Sequence, residues 1–179
     1  ETWGNGKLFG IVPLSGERVY WFGTESTAAG QHNEDEHQAA RDRFGTWHSP
    51  ILECINATPT DAVLRHDIYD LAHLPSSFVK GRTVLLGDAA HAMTPNLGQG
   101  AGQAIEDAVT LALTLRESSN IGIDAALARY SMVRRNRTKK IWLQSRIMGT
   151  LTRITNPTGV SVRNALLRAT PSALTARAI

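Results

Sequence analysis

Asp88 is the residue in this chain whose type and setting first suggest chemistry. It follows Gly87 at the end of a β-branched and leucine run, Thr83 to Leu86, which predicts a buried strand that stops abruptly at a site. A carboxylate there repels a phosphate, but it accepts a hydrogen bond from a ligand hydroxyl. Further on, Gly98, Gly100 and Gly102 alternate after Pro95-Asn96-Leu97, at what reads as the start of a helix. A helix start presents about four N–H groups with no intrahelical acceptor, and glycines let a ligand approach them closely. Hydroxyl binding at a strand end and anion binding at the next helix start together suit a polyol-bearing cofactor.

The elements that must position these residues follow from the flanking pattern. After the glycines, Ala104, Ala108, Leu111 and Leu115 recur at helical spacing, predicting an apolar stripe on one face. Glu106 and Asp107 fall in the first turns of that helix, where its dipole favours negative charge. The 179 residues suffice for one domain with a real core, or for two small ones. The apolar fraction of 42% and the charged fraction of 20% are globular values. A single cysteine, Cys54, excludes an intrachain disulfide and fits a reducing compartment such as the cytoplasm. No apolar run reaches the roughly 18 residues of a membrane span.

Three submotifs, in order, carry a resemblance: Gly87-Asp88-Ala89-Ala90-His91, Pro95 to Gly100, and Glu106-Asp107-Ala108. Together they resemble the second flavin-binding motif of the class A, FAD-dependent aromatic monooxygenases. That family includes p-hydroxybenzoate hydroxylase, salicylate hydroxylase and the FAD-dependent urate hydroxylases. The resemblance implies an α/β (α+β) chain, part of the p-hydroxybenzoate hydroxylase-like fold. Residues 1–68 would belong to the substrate domain, 69–120 to the FAD-binding segment, and 121–179 to basic C-terminal helices. It implies that Gly87 and Asp88 meet the ribityl chain of FAD. Leu97, Gly98, Gln99, Gly100, Ala101 and Gly102 would face the isoalloxazine, with Pro95 where flavin meets substrate. No side chain acts as acid, base or nucleophile; NAD(P)H would reduce the flavin, and O₂ would supply the oxygen added to a small aromatic substrate.

The ADP half of FAD in this family is carried by an N-terminal G-x-G-x-x-G, which this sequence lacks; Gly4-Asn5-Gly6 runs into a strand pattern instead. The expectation is therefore the C-terminal portion of such an enzyme, binding FAD poorly by itself. Two alternatives stay open: an inactive flavoprotein remnant serving as a binding module, and an epoxidase or halogenase on the same scaffold.

Lys7 to Leu14 and Arg18 to Thr24 predict two strands joined around Ser15-Gly16. Tyr20 and Phe22 share one face by period-2 alternation, with Trp21 on the other. By resemblance Tyr20 and Phe22 would line an aromatic pocket; by composition alone they are sheet-core aromatics. Asn33 to Phe44 reads as a helix with Asn33 as N-cap, followed by a short helical or irregular packing segment from Trp47 to Ile55. His32 and His37 are too far apart to stack on one helix face, and H-E-x-x-H is absent, so no metal site is expected. Ala62 to Leu71 alternates as a strand that would cross toward the flavin domain. Arg65 and His66 on it read as surface residues, though either could reach an active site. Pro75 to Gly81 reads as a loop.

From Ala125 onward there are eleven Lys/Arg and no Asp/Glu, a formal +11. The remainder holds eight Lys/Arg against 16 Asp/Glu, and the whole chain carries +3. The run predicts one long helix, about Asp124 to Thr152, lying against the acidic remainder or against a missing N-terminal half, with Tyr130 and Arg134 resembling a Tyr-x-x-x-Arg of the family. With no recognised module and sparse aromatics, nucleic acid is not the expected partner. Ile141 to Ile154, apolar on one side and basic on the other, leaves open peripheral contact with a membrane or another subunit of a homo-oligomer. Pro157 predicts the start of a last short helix, and the tail beyond Thr170 reads as loosely ordered.

Overall fold

The structure, a computed structural model, describes residues 1–170, so the tail beyond Thr170 lies outside the described residues. Two compact units divide the described residues, one of Glu1–Asp67 with residues 151–170, the other of Ile68–Thr150.

The first unit is built on an antiparallel hairpin. β1 (Thr2–Trp3), β2 (Lys7–Leu14) and β3 (Arg18–Glu25) form one sheet in that order, with Phe9 opposite Gly23, Gly10 opposite Phe22 and Val12 opposite Tyr20. Alternation sends Phe9, Ile11 and Trp21 to one face, where they meet α1 (Glu36–Phe44) and α2 (Ile51–Asn56). Phe9 stacks on Trp21 at 5.2 Å between centroids and meets Phe44 edge-on at 5.3 Å. On the other face Tyr20 and Phe22 stack at 5.8 Å. Gly10 makes that possible, because a Cβ there would lie 2.3 Å from Phe22 Cζ. Tyr20 remains 54% exposed, so it is not a core aromatic.

Two expectations for this unit change. The N-cap of α1 is Asp35, whose side chain accepts from Gln38 N–H, rather than Asn33. Glu36 is the reason: its carboxylate takes both the backbone N–H and the side-chain amide of Asn33, holding Asn33 ahead of the helix. The Asn33 backbone bond is also the main cause that lowers the Glu36 pKa. Residues 62 to 71 form no strand: Ala62 closes a 3₁₀ turn (Thr60–Ala62) and the rest has no regular structure. No neighbour among the described residues completes a ladder with it, and the unit boundary falls after Asp67. Within this stretch Arg65 pairs with Asp67 at 2.6 Å, Asp67 accepts from Gly30 N–H, and His66 is exposed. His37 bonds the Ile55 carbonyl through Nε2 at 2.8 Å.

The second unit opens with β4 (Val79–Lys80) and β5 (Thr83–Val84), a two-residue antiparallel ladder closed by Gly81 at φ 58°. The expected loop thus contains a strand. The expected strand at Thr83 to Leu86 keeps only two ladder residues, and Leu86 is exposed, because the described sheet offers no partner beyond β4. α3 (Asp88–His91) and a 3₁₀ turn over Pro95–Leu97 lead to α4 (Gly100–Ile121), and Gly122 separates it from α5 (Ile123–Thr152). Phe78, Ala90 and Tyr130 form the small apolar core.

The basic charge of α5 is largely spent on partners, as expected. Arg129 pairs with Glu117, Arg137 with Glu106, Arg146 with Asp70, and Arg135 donates to the Pro75 carbonyl. Arg146 also lies over the Trp142 ring. Back in the first unit, α6 (Pro157–Ala169) is capped by Asn156, and its buried Arg163 donates to the Gly4 and Leu151 carbonyls. None of the described helices is long and apolar enough to cross a membrane.

Candidate functional site

The site begins where β5 ends. Leu85 N–H still bonds the Phe78 carbonyl, and then Gly87 turns the chain at φ 58° and ψ −143°, a backbone conformation that strains any side chain. The next residue, Asp88, opens α3 with its carboxylate exposed. The chain returns through Pro95–Leu97 to Gly98, left-handed at φ 63°, whose N–H bonds the Pro95 carbonyl at 2.8 Å. α4 then starts at Gly100 with Gln99 as N-cap, and no side chain caps its first turn.

Asp88, Thr94, Pro95, Gly98, Gly100 and Ala101 together line an open cleft of about 540 Å³. Of the other expected residues, Gly87 is buried behind Asp88, while Leu97, Gln99 and Gly102 flank the cleft without lining it. A Cβ at Gly98 or Gly100 would meet nothing within 4 Å, so the cleft wall there is bare backbone facing open space. Tyr20 and Phe22 belong to the other unit.

Sequence reasoning missed what holds this wall. The buried face of α4 is not the expected apolar stripe: Gln103, Asp107 and Thr114 are buried, Leu115 and Ala108 are exposed, and Ala104 and Leu111 are half-buried. Asp107, wholly buried, is tied on both oxygens. Oδ1 accepts from Arg134 Nε at 2.6 Å, while Oδ2 accepts from Gly87 N–H at 2.8 Å and lies 2.6 Å from His91 Nε2. An ionised carboxylate only accepts, so Nε2 donates, while the buried Nδ1 has no hydrogen-bond partner among the described residues. Arg134, 2% exposed, completes its fork on Glu106 and on the carbonyl and side-chain oxygens of Gln103. Glu106 also takes Arg137 in a two-point contact. That contact first, then Arg134, holds the Glu106 carboxyl down at about 2 against burial, which opposes it. Glu106 and Asp107 therefore serve an ion network rather than the helix dipole.

Tyr130, one turn before Arg134, donates to the Leu85 carbonyl at 2.9 Å; burial, with the nearby Asp107 charge, pushes its phenol up to about 12. Two signals pointed this way. One was the Tyr-x-x-x-Arg of α5, and the other was polar residues at 103, 107, 110 and 114, spaced as one helical face.

The wall fits a flavin in its chemistry. It offers an exposed carboxylate for ribityl hydroxyls, an uncapped helix start for the electron-rich pyrimidine edge, and a glycine surface flat enough for a ring. Comparison with known proteins agrees. Residues 4–145 match the FAD binding domain family, and the chain belongs to it, within the class A aromatic monooxygenases. It is 43% identical over 169 residues to the aurachin C monooxygenase/isomerase of Stigmatella aurantiaca, covering 94% of this chain and 43% of that protein. It is 36% identical over 183 residues to the 2-heptyl-3-hydroxy-4(1H)-quinolone synthase of Pseudomonas aeruginosa, covering 97% and 45%. Among solved structures, Klebsiella pneumoniae HpxO complexed with FAD and uric acid superposes with a TM-score of 0.87 at 30% identity, covering 96% of this chain and 44% of that one. The chain thus spans less than half the length of these relatives.

Proposed function

We propose that this chain carries the riboflavin-side wall of the FAD site, and part of the substrate side, in a monooxygenase that hydroxylates a heteroaromatic ring of the quinolone type. One atom of O₂ would enter the ring and the other would leave as water, with two electrons from NAD(P)H. The observation that carries this reading is the juxtaposition of Asp88 with the bare, uncapped glycine start of α4 on one cleft. Bound FAD supplies the redox and oxygen chemistry that no side chain here has. The protein's own part is to hold and polarise. Asp88 would accept from the ribityl hydroxyls, the Gly98 to Gly102 backbone would offer N–H dipoles to the electron-rich ring edge, and Pro95 would stiffen the rim. Gly87, Leu97 and Gln99 shape the turn.

In this reading residues 1–68 supply the substrate side, 69–120 the cofactor side and 121–179 the basic helices. Tyr20 and Phe22 would meet the substrate ring. Their face of the hairpin exposes Val12, Leu14 and Tyr20, with Arg18 at the turn end, a mainly apolar surface that suits a heteroaromatic. The quinolone class is taken from the name of one similar relative given above, the 2-heptyl-3-hydroxy-4(1H)-quinolone synthase. The free thiol of Cys54 fits a cytoplasmic setting.

The test uses the full-length enzyme, loaded with FAD and offered 4-quinolones, simple phenols and urate in parallel. The proposal expects substrate-dependent NAD(P)H oxidation with the hydroxylated quinolone as product. Turnover of phenols or urate alone would overturn the substrate class, and no flavin uptake would overturn the whole reading.

A further inference from the structure

Gly149 stands inside the 30-residue helix α5, and it is buried. Glycine is among the poorest residues for a helix interior, so its presence calls for a steric reason. Asn96 supplies one. A Cβ at position 149 would sit 2.5 Å from Asn96 Nδ2 and 3.3 Å from its Cγ. Asn96 is the middle residue of the Pro95–Leu97 turn on the cleft rim, and its Nδ2 donates to Thr94 Oγ1 at 2.8 Å and to the Ser145 carbonyl at 3.3 Å. Ser145 lies one helical turn before Gly149 and is also buried. The side chain of Asn96 therefore seats in a notch of small residues on α5. The glycines serve opposite ends: Gly98 and Gly100 keep space for a ligand, whereas Gly149 keeps space for the loop itself.

We propose that Asn96 and Gly149 are a positioning pair that sets how deeply the Pro95–Gly98 turn beds on α5, and so where the glycine wall stands for the flavin. This rests on the FAD reading above. Neither residue lines the cleft, so both act through the loop. A residue at 149 with any side chain would lift the turn or push Asn96 out of its bonds to Thr94 and Ser145.

The experiment is a double-mutant cycle in the full-length enzyme: Gly149→Ala, Asn96→Ala and the two combined. The readouts are Tm, the FAD dissociation constant and the visible circular dichroism of bound flavin. Helix propensity alone predicts that Gly149→Ala raises Tm and leaves the flavin untouched. The notch predicts a lower Tm, FAD binding weakened at least tenfold and an altered flavin spectrum. It also predicts that in the Asn96→Ala background the same alanine costs nothing, because the group it strikes is gone. A Gly149→Ala enzyme with raised Tm and wild-type FAD affinity would overturn the pair, as would equal effects with and without Asn96. A wild-type enzyme that takes up no FAD would overturn the cofactor reading instead, and the Tm cycle would still decide whether the two residues interlock.

Discussion

The hairpin of the first unit and the glycine wall of the second are surfaces fixed by opposite means. Behind the hairpin, Phe9, Trp21, Phe44 and Trp47 pack ring on ring. Behind the wall there is little apolar matter; Asp107, Arg134, His91 and Gln103, all buried, are locked by directional bonds. Apolar burial is non-directional, and its loss scales with the volume removed. A buried ion network fails differently, because removing one member strands the others without partners. The hairpin can vary its side chains and keep its shape, whereas the wall must hold a backbone turn at Gly87, and Asp107 does so by accepting its N–H.

That contrast can be broken at several points, and the largest effect should come from Asp107→Ala. Losing the carboxylate takes the buried acceptor from Arg134 Nε, Gly87 N–H and His91 at once and leaves Arg134 only Glu106 as a counter-charge, at a cost of about 3–5 kcal/mol, to be read in urea unfolding. Asp107→Asn should recover only part of this, since an amide keeps the shape but cannot accept from Arg134, Gly87 and His91 together. Phe44→Leu, on the packing side, should cost less, about 1–2 kcal/mol, because a branched apolar side chain refills most of the space. A larger loss at Phe44 than at Asp107 would reverse the comparison.

Next in size is a pH effect at Glu106. Its carboxyl is held at about 2 in the folded chain, below its ordinary 4.5, so its ion pairs add stability above pH 4.5 that fades as pH falls toward 2. Glu106→Gln should therefore be less stable than wild type at neutral pH, with the gap closing between pH 4.5 and 2 in acid titrations followed by circular dichroism. The smallest expected effect is at the α1 cap, where Asp35→Ala should cost about 1 kcal/mol and Asn33→Ala less than that, measured as the shift in denaturation midpoint.

Much of this was legible in the residues. The hairpin declared itself by period-2 alternation around Ser15-Gly16, α5 by its basic run and α6 by Pro157 at its start. The strand end, the turn and the helix start of the cleft could be read because Gly, Asp and Pro act locally there. What could not be read depends on partners remote in sequence. Residues 62 to 71 have a strand's alternation but no neighbour to pair with. The seam of α4 is polar because Arg134 and His91 come to meet it, and apolar periodicity is blind to that. Asn33 lost the cap to Asp35 through a contest between adjacent side chains that composition does not rank.

The central claim is that Asp88 holds the cofactor, and it is tested most directly by FAD titration of the full-length enzyme and its Asp88→Ala variant, with flavin fluorescence as the signal. Asp88 is exposed and, among the described residues, no hydrogen bond ties its side chain into the fold, so the variant should melt as wild type does. Loss of a charge-assisted bond of about 1.5–3 kcal/mol should weaken FAD binding roughly ten- to a hundredfold. Equal FAD affinity in the two proteins would contradict the account.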